Sequence, residues 1–326
     1  MLFVRALHTK GRLAFFSCSN LFALLNWETG MRWIIDIAEL DEEEIWNGII
    51  GAKFITHRHI LCIKSHAVEL LTLPCLQTNA ECHAKSPSAN MSCTSTDNHF
   101  RVQVIAHTFS QTTFRGSSFS APTDLYVSGT DESLATVFFL AYDVLRGLFH
   151  YRVSLMLPPD SASNNLPPHM SVRLVAAHQM AMPISSAGSG ARIPRSGFGP
   201  GARGFVSTCA LGSTGRRGVW IERRRGSVRR GVVGFSALIE LLEEEPESEK
   251  APEQQAGDEL LTAATGESDD EAEVDWWDSA NCRAIEGSTI YEVNSYDLRD
   301  DITHCAFSEA AGRVVLGTRN GDIQYL

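Results

Sequence analysis

Short apolar stretches alternate with turn residues along most of the chain. The stretch Leu21–Trp27 is followed by a turn that ends at Gly30 and then by Met31–Ile37, which predicts a β-hairpin. Further strands are predicted at Phe54–Ile63, Ala67–Leu73, Phe100–Phe109, Asp124–Ser128, Val137–Val144, Leu148–Leu157, Val172–Ala177, Phe205–Leu211, Val219–Glu222, Val232–Phe235, Ile302–Phe307, Arg313–Thr318 and Ile323–Leu326.

Amphipathic helical patterns are scarce. Ala38–Trp46 and Ser236–Glu245 are the two short candidates, and neither recurs between strands as the crossover helices of a parallel α/β sheet do. Three apolar stretches that begin at Leu24, Ile60 and Val102 lie 36 and 42 residues apart. This interval is close to the 40–45 residues of a four-stranded propeller blade. The sequence therefore predicts an all-β fold, a β-propeller with degenerate blades, six or seven in the intact protein and incomplete at the N-terminus.

The negative charge of the chain is concentrated in one segment. The 326 residues include 28 Lys and Arg and 39 Asp and Glu, for a net charge of −11. Residues 240–278 alone contain 16 acidic residues and one basic residue, so the rest of the chain carries +4. The apolar content of this acidic tract is too low to offset the entropic cost of ordering it, about 1–2 kcal/mol per residue. The composition predicts three parts: propeller blades over 1–239, a disordered acidic insertion over 240–278, and a C-terminal blade over 279–326.

An arginine-rich segment is the strongest candidate for a binding site. Seven arginines fall within 15 residues: Arg216, Arg217, Arg223, Arg224, Arg225, Arg229 and Arg230. Guanidinium groups bind phosphates and carboxylates, so an anionic protein or peptide, a phosphate group or a nucleic acid are all candidate partners. Two other interpretations stay open. The segment is a solvated hairpin that turns at Gly226 and Ser227, or the acidic tract screens it.

Catalytic and cofactor motifs find little support. No metalloprotease helix motif, phosphate-binding loop or nucleophile elbow is present. Gly199, Gly201 and Gly204 have the spacing of a dinucleotide motif, but the preceding strand and the following helix are missing. Four possible zinc ligands have irregular spacing, namely Cys75, Cys82, His83 and Cys93. We expect a protein that is not an enzyme and has no cofactor. Convergence of His, Asp and Ser side chains in one pocket would instead support a hydrolase.

The first 25 residues have two interpretations. Arg5, Lys10 and Arg12 precede the apolar stretch Leu13–Leu25, as in a targeting peptide. However, Cys18, Ser19 and Asn20 interrupt the stretch and no small-residue cleavage site follows. A buried pair of strands explains the stretch better. No apolar run reaches the roughly 18 residues that a membrane-spanning helix requires. We therefore expect an intracellular protein, cytoplasmic or nuclear, that does not enter a membrane.

The C-terminal segment has the most recognisable pattern. A strand that ends in Phe307 and Ser308 is followed by a second strand that ends in Leu316, Gly317 and Thr318, and then by Asn320 and Gly321. The Asn-Gly pair predicts a type I′ turn, in which both residues have positive φ. This pattern resembles a WD-type propeller blade, although the terminal Trp-Asp pair of strict repeats is absent.

Taken together with Asn26–Gly30, Phe54–His57 and Gly218–Ser227, this blade resembles the propeller region of fungal F-box proteins, the basidiomycete type in particular. The resemblance implies a protein–protein interaction scaffold that presents substrates to a ubiquitin ligase. In that family an N-terminal F-box recruits the ligase core, whereas this chain begins within what resembles a blade. The alternative is a module that binds nucleic acid or phosphate through the arginines of residues 216–230.

Overall fold

The computed structural model describes the chain as five β-sheets, with the connections between them described in part. The described residues are 3–18, 21–36, 48–74, 98–109, 112–126, 133–144, 146–158, 167–180, 204–224, 227–237 and 283–326. The acidic tract, the candidate zinc ligands, the candidate helix Ala38–Trp46 and nearly all of Ser236–Glu245 lie outside them. So do Gly199 and Gly201, Arg225 and the side chain of Arg224.

Apart from two short parallel strands described below, each sheet is built from antiparallel strands that are consecutive or nearly consecutive in sequence, and we number the sheets as blades 1 to 5. Blade 1 contains β1 (Phe3–His8), β2 (Leu13–Cys18), β3 (Leu21–Asn26) and β4 (Arg32–Asp36). Blade 2 contains β5 (Ile49–Phe54), β6 (His59–Lys64), β7 (Ala67–Thr72) and β9 (Gln103–Thr108).

The remaining blades continue the same order. Blade 3 contains β10 (Phe114–Phe119), β12 (Ser133–Asp143), β13 (Gly147–Leu157) and β14 (His169–Gln179), with the short β11 (Thr123–Tyr126) also paired to β12. Blade 4 contains β15 (Gly204–Leu211), β16 (Arg217–Arg224), β17 (Arg229–Ser236) and β19 (Gly287–Asn294). Blade 5 follows a 3-10 turn (Leu298–Asp300) and contains β20 (Ile302–Ser308), β21 (Arg313–Thr318) and β22 (Ile323–Tyr325).

Consecutive blades are stacked through their first strands. β1 contacts β5, β5 contacts β10, β10 contacts β15 and β15 contacts β20. Four apolar clusters fill the four spaces between blades 1 and 2, 2 and 3, 3 and 4, and 4 and 5. Short antiparallel sheets stacked face to face, with their first strands side by side, form the architecture of a β-propeller. The predicted all-β propeller class is confirmed.

Both faces of the middle blades are apolar because each of them packs against a neighbour. β6 in blade 2 is buried at all six of its positions, and its alternate residues contribute to two different clusters. Ile60 and Cys62 pack toward blade 1, whereas Leu61 and Ile63 pack toward blade 3. This explains why many strands of this chain lack the apolar–polar alternation of a half-exposed sheet.

Two short strands join blades by parallel pairing. β8 (Asn98–Arg101) lies in the connection between the third and fourth strands of blade 2 and pairs with β4 at the outer edge of blade 1. β18 (Arg283–Ala284) lies in the equivalent connection of blade 4 and pairs with β14 at the outer edge of blade 3. In both cases the chain pairs with the outer strand of the preceding blade before it forms the fourth strand of its own blade.

Several details of the sequence-based predictions are corrected. The three stretches that begin at Leu24, Ile60 and Val102 belong to the third strand of blade 1, the second strand of blade 2 and the region where β8 gives way to β9. Their regular spacing is therefore not a blade repeat. The first strands begin at residues 3, 49, 114, 204 and 302, at unequal intervals, because long insertions interrupt blades 2 and 4 and blade 3 has 11-residue strands. Phe54–Ile63 is divided between β5 and β6.

The hairpin at Asn320 and Gly321 forms, but its turn is not type I′. Gly321 has a φ of 92°, whereas Asn320 is not among the described residues with positive φ. The Gly321 amide donates to the Thr318 carbonyl oxygen at 3.1 Å, so a turn in the ordinary right-handed region is followed by one left-handed glycine.

The predicted boundary at residue 279 does not coincide with a change of blade. β19 pairs with β17, so the acidic tract interrupts blade 4 between its third and fourth strands, and blade 5 begins at β20. The described residues form five blades, and the six or seven expected of the intact protein stay a prediction. In the described part of the chain, no helix is long and apolar enough to cross a membrane.

A buried histidine lies between blades 3 and 4. The ring of His150 packs 5.5 Å from Phe138 and 6.2 Å from Phe235 of blade 4, measured between ring centroids, and the side chain is fully buried. Burial lowers the pKa of His150 from 6.5 to about 4, although the backbone of Gly215 acts in the opposite direction. The neutral ring is therefore the form that the folded protein accommodates.

We expect His150 to make the folded protein sensitive to acid. A pKa that is lowered on folding gives stability that is complete above pH 6.5 and is lost as the pH falls toward 4, by up to about 3 kcal/mol. Urea unfolding of the wild type and of His150→Leu at several pH values measures this loss. The free energy of unfolding of the wild type should fall relative to that of His150→Leu as the pH falls, whereas His57→Gln, which changes an exposed histidine, should follow the wild type. A constant difference would contradict the assignment.

Candidate functional site

The arginine-rich segment forms the second hairpin of blade 4. β16 begins at Arg217 and β17 begins at Arg229, and Arg223 lies directly opposite Arg230 in the antiparallel register. Arg216 and Arg217 lie at the lower edge of the blade, which we define as the edge where the first strand of each blade ends. Arg223, Arg229 and Arg230 lie at the upper edge, about 20 Å away at 3.3 Å per residue.

Two of these arginines are bound by one carboxylate of the next blade. Arg230 Nε donates to Asp301 Oδ1 at 2.6 Å, and Arg223 Nη1 donates to Asp301 Oδ2 at 3.0 Å. Arg230 is 2% exposed, and it also donates through Nη1 to the Ser227 and Arg229 carbonyl oxygens. The buried Asp301 immediately precedes β20, so this ion pair links the hairpin of blade 4 to the start of blade 5.

The arrangement corrects the interpretation of the segment as one solvated basic surface. Arg230 is buried, and Arg223 is partly covered, with its guanidinium 5.3 Å from the centre of the Phe205 ring. The exposed Arg229 has Nη1 3.8 Å from Glu292 Oε2. Arg216 and Arg217 are exposed at the opposite edge. The described arginines therefore do not converge on a single anion-binding surface.

A second polar link joins blades 4 and 5 at the lower edge. Glu309 accepts hydrogen bonds from the Thr214 amide at 2.8 Å and from the Thr214 hydroxyl at 2.6 Å. Burial acts to raise the pKa of Glu309, but these hydrogen bonds and the charge of Arg217 outweigh it and lower that pKa. Both edges of this blade interface are thus held by a carboxylate from blade 5.

A groove of about 600 Å³ lies between blades 4 and 5 near the lower edge. Its apolar lining comes from Val219 and Ile290 of blade 4 and from Phe307 and Val314 of blade 5. Of the glycines that line the groove, Gly312 has open space where a side chain would lie, whereas a side chain at Gly218 would meet the Phe235 ring. Arg217 and Glu286, both exposed, supply one charge of each sign. The groove has the chemistry of an apolar recess with a polar rim.

Sequence reasoning missed Asp301, Glu309 and the groove. Asp301 is separated from Arg230 by 71 residues. Neither Asp301 nor Glu309 stands out in the sequence, because the contacts that each makes form only when blades 4 and 5 stack. One signal for Asp301 was available in the sequence. Arg223 and Arg230 lie directly opposite each other in the hairpin, and two facing cations require an acidic partner. Among the described residues, no group of three or more His, Cys, Asp or Glu side chains is placed to hold a metal ion.

The blade pairing and blade order place the chain in the class of all-β propeller proteins. No protein-family model matches the chain, and no curated protein sequence matches it. Similar solved structures include hydrazine synthase of Kuenenia stuttgartiensis, at 9% identity and a TM-score of 0.37, with 98% of this chain and 82% of that chain covered.

Two further solved structures are also similar. The β-propeller domain of Myceliophteria thermophila Cps50 (Swd1) is 10% identical with a TM-score of 0.26, over 70% of this chain and 68% of that one. Hsv2 of Kluyvelomyces marxianus is 7% identical with a TM-score of 0.22, over 99% and 92%. Likenesses at this level do not indicate what this chain binds or does.

We expect Asp301→Asn to destabilise the protein by about 3 kcal/mol or more, because it leaves the charge of Arg230 buried without its counterion. Chemical unfolding measures the change in the free energy of unfolding. Asp300→Asn is the matched control, since the neighbouring carboxylate is exposed and its loss should cost less than about 1 kcal/mol. Equal effects of the two substitutions would show that the ion pair does not stabilise the blade interface.

Proposed function

We propose that the chain is a non-catalytic protein-interaction scaffold that binds an extended peptide segment of a partner protein. The groove between blades 4 and 5 is the observation that carries this proposal. Its volume of about 600 Å³ lies within the range of ligand sites, and apolar recesses with a few polar groups at the rim are typical of binding sites. The recess accommodates a bulky apolar side chain of the partner, while Arg217 and Glu286 contact its flanking polar groups.

The two charges at the rim are of opposite sign, so the groove itself has no strong preference for an anionic or a cationic partner. Specificity then depends on the apolar anchor, which supplies most of the binding energy at interfaces of this kind. The wide separation of the described exposed arginines weakens the alternative of a nucleic-acid-binding module, because nucleic-acid binding relies on several cations along one surface. A site for a single phosphate group stays an alternative, since one arginine can bind it.

We expect displayed peptides selected on the full chain to be enriched in a bulky apolar residue. Ile290→Glu places a charge in the apolar lining and should reduce binding of a selected peptide at least about tenfold, because a buried charge without a partner is costly. Fluorescence anisotropy measures the affinity. The control is Val228→Glu, which changes an exposed apolar residue of the same blade at the opposite edge. Equal binding by Ile290→Glu and the wild type would exclude the groove as the site.

The finer proposal is that this scaffold presents substrates to a ubiquitin ligase of the F-box type. It is supported by the motifs that resemble fungal F-box propellers, of which the C-terminal pattern forms blade 5 and Gly218–Ser227 supplies most of β16. Under this proposal the groove binds the substrate, and the ligase core is recruited by a separate F-box.

Affinity capture with the intact gene product tests this finer proposal. We expect cullin-core subunits among the captured proteins, and we expect Ile290→Glu to leave them bound while it releases the groove partner. Absence of the cullin core from captures of a product that contains an F-box would refute the ligase role. That result would leave the peptide-binding proposal unaffected, because the two use different parts of the protein.

A further inference from the structure

The connection between β16 and β17 contains a serine that the peptide-binding proposal does not use. Ser227 is followed by Val228, and the residues four, three and two positions before it are all arginine, namely Arg223, Arg224 and Arg225. Basic residues shortly before a serine, with an apolar residue directly after it, form a charge pattern of the kind by which protein kinases select their substrates. The arginine-rich segment is therefore a candidate recognition sequence for a kinase.

The hydroxyl group of Ser227 is accessible for such a reaction. Ser227 is half-buried at the upper edge of blade 4, and the two residues that follow it, Val228 and Arg229, are exposed. The Ser227 oxygen accepts a hydrogen bond from the Arg229 amide at 3.0 Å. Because a hydroxyl oxygen has two lone pairs, this contact leaves it able to attack a phosphate group.

A small recess at Ser227 suits a group attached to the chain better than a free ligand. Its volume is about 80 Å³, well below the roughly 300–1,000 Å³ of typical ligand sites. Ser227, Arg229, Glu222 and Glu292 line it together with Gly231, which has open space where a side chain would lie. A phosphate group held covalently by Ser227 is of a size that this recess accommodates.

Arg229 is the cation available to such a group. Its side chain is 70% exposed, and its ion pair with Glu292 is long, at 3.8 Å. Exposed pairs of this kind stabilise proteins only weakly, so the guanidinium group can turn toward a stronger anion on the neighbouring serine. Arg223 and Arg230, by contrast, are held by the buried Asp301. A phosphate on Ser227 therefore pairs with Arg229 and leaves the link between blades 4 and 5 in place.

We propose that Ser227 is phosphorylated by a serine kinase that selects basic sequences, and that Arg229 binds the resulting phosphate group. The Ser227 oxygen attacks the γ-phosphorus of ATP, the bond between that phosphorus and the β,γ-bridging oxygen breaks, and ADP leaves. The hydroxyl proton passes to the catalytic carboxylate of the kinase. The anion that the arginine-rich segment binds is thus one that the chain itself carries.

The phosphate group changes the balance of charges at the recess. It carries a charge of about −1.5 to −2 at pH 7 and offers three acceptor oxygens. The Arg229 amide already donates to the serine oxygen, and the Arg229 guanidinium adds charge-assisted hydrogen bonds to the phosphate. Glu222 and Glu292 repel the new anion. Arg229 therefore leaves Glu292 and pairs with the phosphate instead.

Incubation of the folded full chain with ATP, Mg²⁺ and the catalytic subunit of cyclic-AMP-dependent protein kinase, which selects basic sequences, tests the site. We expect phosphate on Ser227, located by mass spectrometry. The double variant Arg224→Gln, Arg225→Gln should react about tenfold more slowly or worse, because two charge-assisted contacts with the kinase are lost. The matched control is Arg299→Gln, Arg319→Gln, which removes two exposed arginines of the same edge and should react as the wild type does.

Two results of this experiment would overturn the proposal. One is the absence of phosphate from Ser227 of the wild type. The other is an equal rate in the double variant and in its control, since this would show that the arginines before Ser227 do not direct the kinase. Circular dichroism checks that both variants are folded.

Phosphorus NMR of the phosphorylated chain tests the role of Arg229. We expect the pKa of the second ionisation of the phosphate to be lower in the wild type than in Arg229→Gln, because a neighbouring guanidinium group favours the doubly charged form. Arg299→Gln, which removes an exposed arginine near the start of blade 5, should titrate as the wild type does. Equal pKa values in the wild type and Arg229→Gln would show that Arg229 does not bind the phosphate, and would overturn that part of the proposal.

Discussion

The fold depends on the fact that a sheet of three to five short strands cannot bury two apolar faces by itself. Burying apolar surface contributes roughly 25 cal/mol per Å², and each middle blade gains this on both of its faces only when a neighbour lies on either side. The complete burial of β6 and the assignment of its alternate residues to different clusters show the constraint directly. The stack is consequently a chain of pairwise interfaces, and its two ends are the places where the constraint is not met within the described residues.

Polar groups give these apolar interfaces a fixed alignment. Apolar packing alone tolerates sliding of one sheet over another, whereas the buried Asp301 must meet both Arg223 and Arg230 to offset the cost of its burial. Glu309 and Thr214 form a second tie at the opposite edge of the same two blades. Both ties join the two blades that line the groove, and they lie at opposite edges of the interface.

The class of fold could be predicted from local pattern because strand propensity and short turns are local properties. The bounds of β3, β13 and β15 were close to those predicted for the same reason. Blade membership was less accessible, since it depends on which strands pair after long insertions. β19 is largely exposed and polar in pattern, so its sequence did not indicate a strand, and the blade boundary was misplaced. The arginine cluster was visible in sequence, but the partner that buries Arg230 is 71 residues away, and only the stacked blades bring Asp301 to it.

The connectivity of blade 4 finally relates the acidic tract to the groove. The tract begins after β17, where the Ala237 amide donates to the Arg216 carbonyl oxygen at 2.7 Å, and it ends before β18, where the Ile285 amide donates to the Ala177 carbonyl oxygen at 2.8 Å. Both attachment points lie beside the lower edge of blade 4, where Arg216, Arg217 and the groove also lie. The interpretation in which the acidic tract screens these arginines stays a prediction that this connectivity permits, and tethering would give the tract a high effective concentration there. Under that prediction, a partner held by an apolar anchor would be spared the competition that an anionic partner meets.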